Sequence, residues 1–374
     1  MSFVQPYPPL LELSPIGSTP FASYSSHGAT RRASLNQQCL ETLTTWLQEE
    51  LGWNARAYPR AVTLPNLWEF INGTALTVAD LRLVLVPAET VTRDELRVPQ
   101  EWVDIPAWVA DYYLALHIDP EENWVQISGY TSHQQLKTEG MYDPNDRTYS
   151  LDPDNLLQDI NSLWITHLLA PLPIARAEVA PLPTLAQVQA TTLLERLGRS
   201  ELVFPRLEVP FQQWGALLSH GGWRQQLYER RQGLSSGSVP QWLQSGLSGL
   251  AQQLGWQRRD FVPVTAGVRS LSVAIERSLT IANHPYELRV FMVEHTTPPV
   301  WRFELRSATP GGFMPPGCRL RLLTEDLQAM EHNEDMATSE TESLYVDVVL
   351  EPGEGVVWEI EPVPEEYDRE ILRF

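Results

Sequence analysis

Val98–Lys137 reads VPQEWVDIPAWVADYYLALHIDPEENWVQISGYTSHQQLK. Three of the chain's 13 tryptophans fall here (Trp102, Trp108 and Trp124), together with Tyr112, Tyr113 and Tyr130. Aromatic side chains dominate core energetics, so this stretch is expected to organise its domain. Pro99 and Pro106 cannot donate to a strand ladder and bracket a short irregular segment. Trp108–Ile118 and Trp124–Thr131 then read as strands joined by the polar turn Asp119–Asn123, with Pro120 in its second position. Ser132 is placed to cap a short helix carrying His133 and Lys137.

Upstream, Ser34 is the expected N-cap of a helix whose Leu35, Leu40, Leu43, Leu47 and Leu51 lie near one face, ended by Gly52. Two strands are expected to meet across Asn72-Gly73, a strong hairpin signal, and Leu81–Val86 (LRLVLV) makes a third. Downstream, Tyr142–Tyr149 reads as a loop and Leu156–Leu169 as a helix started by Asp152 or Asp154. Four prolines at positions 171, 173, 181 and 183 mark a stiff linker. Helices are expected at Leu185–Leu197, at Phe211–Arg231 with an interruption at Gly221-Gly222, and from Pro240 through Leu254. From Phe261 the hydrophobic period becomes two. Strands are expected at Leu271–Leu279, Tyr286–Glu294, Val300–Arg306, Arg319–Leu323, Ser343–Leu350 and Val356–Glu361.

These elements predict an α+β protein: an N-terminal mixed domain with a small bent sheet or barrel plus helices, and a C-terminal antiparallel β-sandwich. The expected boundaries are an extended arm over 1–33, the α+β domain over 34–169, the Pro-rich linker and helices over 170–260, and an acidic sandwich over 261–374. On that division, brief proteolysis should release a stable fragment ending near residue 170.

The length of 374 residues suits two domains, and 43% hydrophobic content is enough to build their cores. A net charge of −20 argues against binding nucleic acid or anionic lipid. From Glu325 onward sixteen carboxylates face only Arg369 and Arg373, so most of the excess is C-terminal. Lys137 is the only lysine. Cys39 and Cys318 lack metal-ligand spacing, and no signal peptide or 18-residue apolar run occurs, which together predict a cytoplasmic protein without a membrane span.

VPQEWVDIP, DYYLALHIDPEENWV, GYTSHQQLK and the following YDPNDRTYSLD resemble the signature run of a cyanobacterial family, domain of unknown function eighteen-twenty-two. INGTALTVADLRLVLVP upstream is similar to its entry strands, and VPQWLQSGL and MPPGCRLRLL resemble its second half more loosely. The likeness runs from about Leu35 and is specific between Asn72 and Leu151; the acidic C-terminus and Gly221-Gly222 depart from the pattern. It implies a cyanobacterial cytoplasmic protein and supplies no catalytic residues. It also implies a genomic neighbourhood of sigma-factor or caspase-like peptidase genes, and through it a transcription-related partner such as a sigma factor.

Glu101, Asp104 and His133 could perform acid–base hydrolysis if burial split their pKa values. The structural reading is that Glu101, Asp104 and Asp111 form a core polar network, as buried polar groups usually do. Lys137 at a helix end reads as a surface residue. The histidines show no i, i+4 pairing, so no metal is expected, and nucleotide and nucleophile-elbow motifs are absent, so neither is a cofactor. Glu351, Glu354, Glu359, Glu361, Glu365 and Glu366 are the candidate partner-binding residues, since their summed field would steer a basic protein. The favoured function is therefore a non-catalytic regulatory or scaffolding module that binds another protein, with the hydrolase as the alternative.

Overall fold

A computed structural model of the chain describes residues 10–14, 23–89, 95–169, 176–235, 237–261, 272–293, 296 and 298–374. Residues 1–9 and 15–22 of the expected arm, and 170–175 of the expected linker, lie outside the described residues. Contacts divide the chain into two units, Met1–Leu185 with Leu193–Ser219, and Ala186–Thr192 with His220–Phe374. The helices read as part of the linker divide between them.

The first unit begins with β1 (Leu10–Glu12), α1 (His27–Leu51), β2 (Ala55–Tyr58), α2 (Leu64–Trp68), β3 (Thr74–Val78) and β4 (Leu81–Ala88). It continues through β5 (Leu96–Pro99), α3 (Gln100–Asp104), β6 (Tyr112–Asp119), β7 (Trp124–Ser132) and α4 (His133–Glu139). Then come β8 (Met141–Asp143), β9 (Thr148–Leu151), α5 (Ile160–Leu169), α6 (Gln187–Leu197, divided between the units) and α7 (Phe211–Ser219). A curled six-stranded sheet runs β1-β7-β6-β4-β3-β2, and a small sheet runs β5-β9-β8. Only β4 and β6 pair in parallel within the first sheet. The run LRLVLV is buried on both faces, as a strand inside two layers requires. Its leucines join Leu35, Cys39, Leu43 and Leu47 of α1 and Trp164 of α5 in one core. On the opposite side of the sheet, Tyr113 Oη donates to the Trp102 carbonyl at 2.9 Å.

Several expectations change here. Helix α1 starts at His27, because Ser26 Oγ accepts from Ala29 N–H; Ser34 lies inside the helix. Arg32, read as part of the arm, donates to the Trp68 and Glu69 carbonyls from within it. Asn72-Gly73 makes no two-residue hairpin: β2 and β3 pair, but fifteen residues apart, and the tight turn is Ala79-Asp80 between β3 and β4. Asn72 and Gly73 are instead bound to buried Asn36, which takes Gly73 N–H at 2.9 Å and donates to Asn72 Oδ1 at 3.0 Å. The segment between Pro99 and Pro106 is helical, and β6 begins at Tyr112, so Trp108 precedes the strand. Residues 142–149 form the β8–β9 hairpin and no simple loop. Helix α5 begins at Ile160, after a 3₁₀ turn at Pro153–Asn155.

The second unit comprises α8 (Gly221–Gln232), α9 (Val239–Ser245), α10 (Gly249–Gln253), β10 (Trp256–Phe261), β11 (Ser272–Ile281), β12 (His284–Val293) and β13 (Val300–Ser307). It closes with β14 (Arg319–Thr324), β15 (Ala329–Met336), β16 (Ser343–Val349), β17 (Gly355–Glu361) and β18 (Ile371–Arg373). All pairs are antiparallel, in sheets ordered β10-β11-β12-β13-β16 and β15-β14-β17-β18. Leu288, Phe303 and Val346 of one sheet share a core with Leu320, Trp358 and Ile360 of the other, which makes the sandwich. The fold is α+β, as expected. A polar centre sits inside that core. Glu370 pairs with buried Arg277 and accepts indole N–H groups from Trp358 at 2.8 Å and Trp256 at 3.3 Å. The break expected at Gly221-Gly222 lies at His220, the N-cap of α8; both glycines are inside that helix, where a Cβ at Gly222 would collide with Ile371.

Candidate functional site

Pro99 ends β5 and starts α3, one turn that carries both Glu101 and Asp104. Their side chains take separate partners. Glu101, fully buried, is forked by Arg206 at 2.9 and 2.6 Å and accepts Trp214 Nε1–H at 2.7 Å. Arg206 also donates to the carbonyls of Asp146 (2.8 Å) and Arg147 (3.1 Å), while Arg147 donates back to the carbonyls of Arg206 and Val209. The segment before α7 is thereby fastened to α3 and to the β8–β9 hairpin.

Asp104 accepts from Lys137 Nζ at 2.8 Å, from Tyr149 Oη at 2.9 Å and from Gln100 Nε2 at 2.8 Å. Lys137 also donates to Tyr149 Oη at 2.8 Å. Burial alone would lower the lysine's pKa, but Asp104 and Tyr149 outweigh it and hold the ammonium above its usual value. It is a cation at neutral pH and no nucleophile. Asp111, just before β6, takes Arg176 in a fork of two 2.9 Å bonds and Arg82 N–H at 2.7 Å.

His133 is fully buried at the start of α4. Its Nδ1 accepts from Ala177 N–H at 3.0 Å, so the proton resides on Nε2, which donates to the Val103 carbonyl at 3.0 Å. Burial first, then the charges of Lys137 and Arg176, push its pKa down, against the opposing pull of the Val103 carbonyl and Asp104. The ring is neutral, with both nitrogens in use.

The three residues expected to act together are therefore close in the fold but each is saturated by its own partners. No hydrogen bond joins Glu101, Asp104 or His133 to another of the three among the described residues. The expected core polar network is three hubs, Glu101–Arg206, Asp104–Lys137 and Asp111–Arg176. Sequence reasoning missed Arg206 and Arg176, and did not connect the helical Trp214 to Glu101, because all three lie in the stretch read as Pro-rich linker and helices. It placed Lys137 on the surface, although its ammonium bridges two elements.

The acidic C-terminal residues occupy three places. Glu359, on the outer face of β17, lies between Arg321 (2.7 Å) and Arg369 (2.9 Å). Burial would raise its pKa, but the two guanidinium groups outweigh that and hold it low. Glu361 on the same face lies 3.5 Å from Arg319. Glu365 accepts from Asn283 N–H at 3.3 Å, and Glu366 beside it is exposed. Glu351 and Glu354 are exposed in the β16–β17 turn, where Glu354 accepts Glu351 N–H at 2.9 Å. Neither carries an ion pair among the described residues. Next to this turn Val293, Val300 and Val349 align across β12, β13 and β16, with Val349 52% exposed.

Among the described residues no group of three or more His, Cys, Asp or Glu could hold a metal ion. No helix is long and apolar enough to cross a membrane. No curated protein and no solved structure matches the chain. The model of the family described as "Protein of unknown function (DUF1822)" matches residues 20–373, and the chain belongs to that family.

Proposed function

We propose that the chain is a non-catalytic binding protein of the cyanobacterial cytoplasm whose partner is a basic protein, a transcription-related one such as a sigma factor being the candidate. The observation that carries this reading is how its carboxylates are used. Those positioned for acid–base work are consumed by internal cations, whereas Glu351 and Glu354 stand exposed beside the aligned valines. An apolar strip edged by unneutralised acid suits a partner that presents aliphatic and basic side chains together. The net charge of −20 disfavours nucleic acid and anionic lipid, which supports a protein as the partner class. The geometry gives the hydrolase alternative built on Glu101, Asp104 and His133 less support, because both imidazole nitrogens are occupied while Ala177 N–H sits on Nδ1.

The test is affinity capture from the native host with the full chain and with Glu351→Arg/Glu354→Arg. A partner of this kind is captured by the unaltered chain, depleted by the reversed one, and lost as salt shortens the field below about 8 Å. Equal capture by both chains with no salt dependence rejects the surface.

A further inference from the structure

Residues 176–185 lie along the first unit as an extended segment with neither helix nor strand. Three anchors hold its first seven residues, and Leu185 at its end is buried and stays as the hinge side of the segment. Arg176 forks Asp111, Ala177 N–H reaches His133 Nδ1, and Leu182 lies over Gly215 beside Ile105. A Cβ at Gly215 would lie 3.2 Å from the Leu182 side chain, so this helical glycine makes room for the segment. Glu178, Ala180, Pro181, Pro183 and Thr184 between and beyond the anchors are exposed.

We propose that this segment is a proton-released strap: it docks only on neutral His133, and protonation of that ring lets it go. The geometry requires the coupling. Nε2–H is committed to the Val103 carbonyl, so Nδ1 can accept Ala177 N–H only while it keeps its lone pair. An imidazolium would turn an N–H toward an N–H.

The charged groups around the ring set the balance. Arg176 on the strap and Lys137 on α4 oppose a second proton, while Asp104 on α3 favours it. Asp111, before β6, is committed to Arg176, and Tyr113 of β6 places its ring 6.2 Å from the imidazole. Burial adds to the opposition while the strap is down. Once lifted, the ring meets water and returns toward the ordinary value of about 6.5. Docking is therefore full above that value. It weakens as pH falls from there toward the lower docked value, by at most about tenfold per pH unit for one proton, and then levels off. Release also takes Arg176 from the Asp111 carboxylate, which keeps Arg82 N–H, and uncovers the notch at Ile105 and Gly215.

The test is amide hydrogen exchange on the full chain between pH 7.5 and 5, corrected for the intrinsic rate at each pH. The Ala177 amide is compared with Leu116, a core amide of β6. The strap predicts that Ala177 protection falls several-fold to tenfold per unit below about pH 6.5 while Leu116 holds. In His133→Asn, whose side-chain oxygen can replace Nδ1 without titrating, Ala177 protection should not follow pH. Ala177 tracking Leu116 throughout, or keeping its pH slope in His133→Asn, overturns the proposal. Should that variant not fold, NMR titration of the His133 ring in the unaltered chain decides: loss of Ala177 protection while Nδ1 remains an unprotonated acceptor also overturns it.

Discussion

At the scale of single residues, Glu101 is the most demanding group in the first unit. It is a fully buried carboxylate with three donors on it, two of them from an arginine over a hundred positions away. Taking one partner from a buried pair leaves an uncompensated charge, at a cost of about 3–5 kcal/mol. Arg206→Ala is therefore expected to lower the first unit's free energy of unfolding, measured in urea, by that amount. Trp214→Phe, which removes one hydrogen bond to a charged group, should cost about 1.5–3 kcal/mol. The double variant Glu101→Gln/Arg206→Met should lose less than Arg206→Ala alone, because no orphan charge remains. Equal losses from all three would mean that packing, and not the pair, holds this segment. Residue type and context in the sequence marked Glu101 as embedded. They could not name its partner, because a contact across such a separation leaves no local trace.

At the scale of elements, legibility followed pattern strength. Strand β7, the Ser132 cap of α4, and strands β11 to β14, β16 and β17 were expected within a residue or two of where they lie, since alternation and turn residues agree there. Strand β15 was not anticipated. Its sequence AMEHNEDM has no apolar face, because it is a sheet edge without a fully buried position. Charges on such an edge discourage pairing with other chains, and its Asp335 also takes Tyr345 N–H of β16 at 3.0 Å. Helix α3 was missed because a single turn between prolines has no period to read. The start of α1 was misplaced because two serines, Ser26 and Ser34, both look like caps and only tertiary contacts of Arg32 and Asn36 favour the earlier one. Ser26→Ala should cost about 1 kcal/mol in thermal or urea unfolding, whereas Ser34→Ala, inside the helix where alanine is the better helix former, should cost nothing. The reverse order would restore the shorter helix.

At the scale of the whole chain, the family likeness read from about Leu35, and as specific between Asn72 and Leu151, extends over residues 20–373. The domain line moves more. A fragment ending near residue 170 would strand Glu101 and Asp111 without Arg206 and Arg176, and would lack Trp214 from the core. It is expected to be insoluble or to melt without a cooperative transition. A fragment ending at Ser219 retains all three residues and should unfold cooperatively, as followed by circular dichroism. A stable, cooperative 1–170 fragment would show the later segments to be dispensable.

Lys137 gives the molecule an unusual handle. Its ammonium is the one side-chain amine in the sequence, and Asp104 and Tyr149 keep the reactive, uncharged form scarce. Apart from the terminal α-amine, an amine-directed acylating reagent therefore meets a single side-chain site, and its modification is expected to wait on how often α4 and β9 part. The unaltered protein thus carries its own stopwatch for the opening of that grip, read as the mass increment on the peptide that contains Lys137 against time.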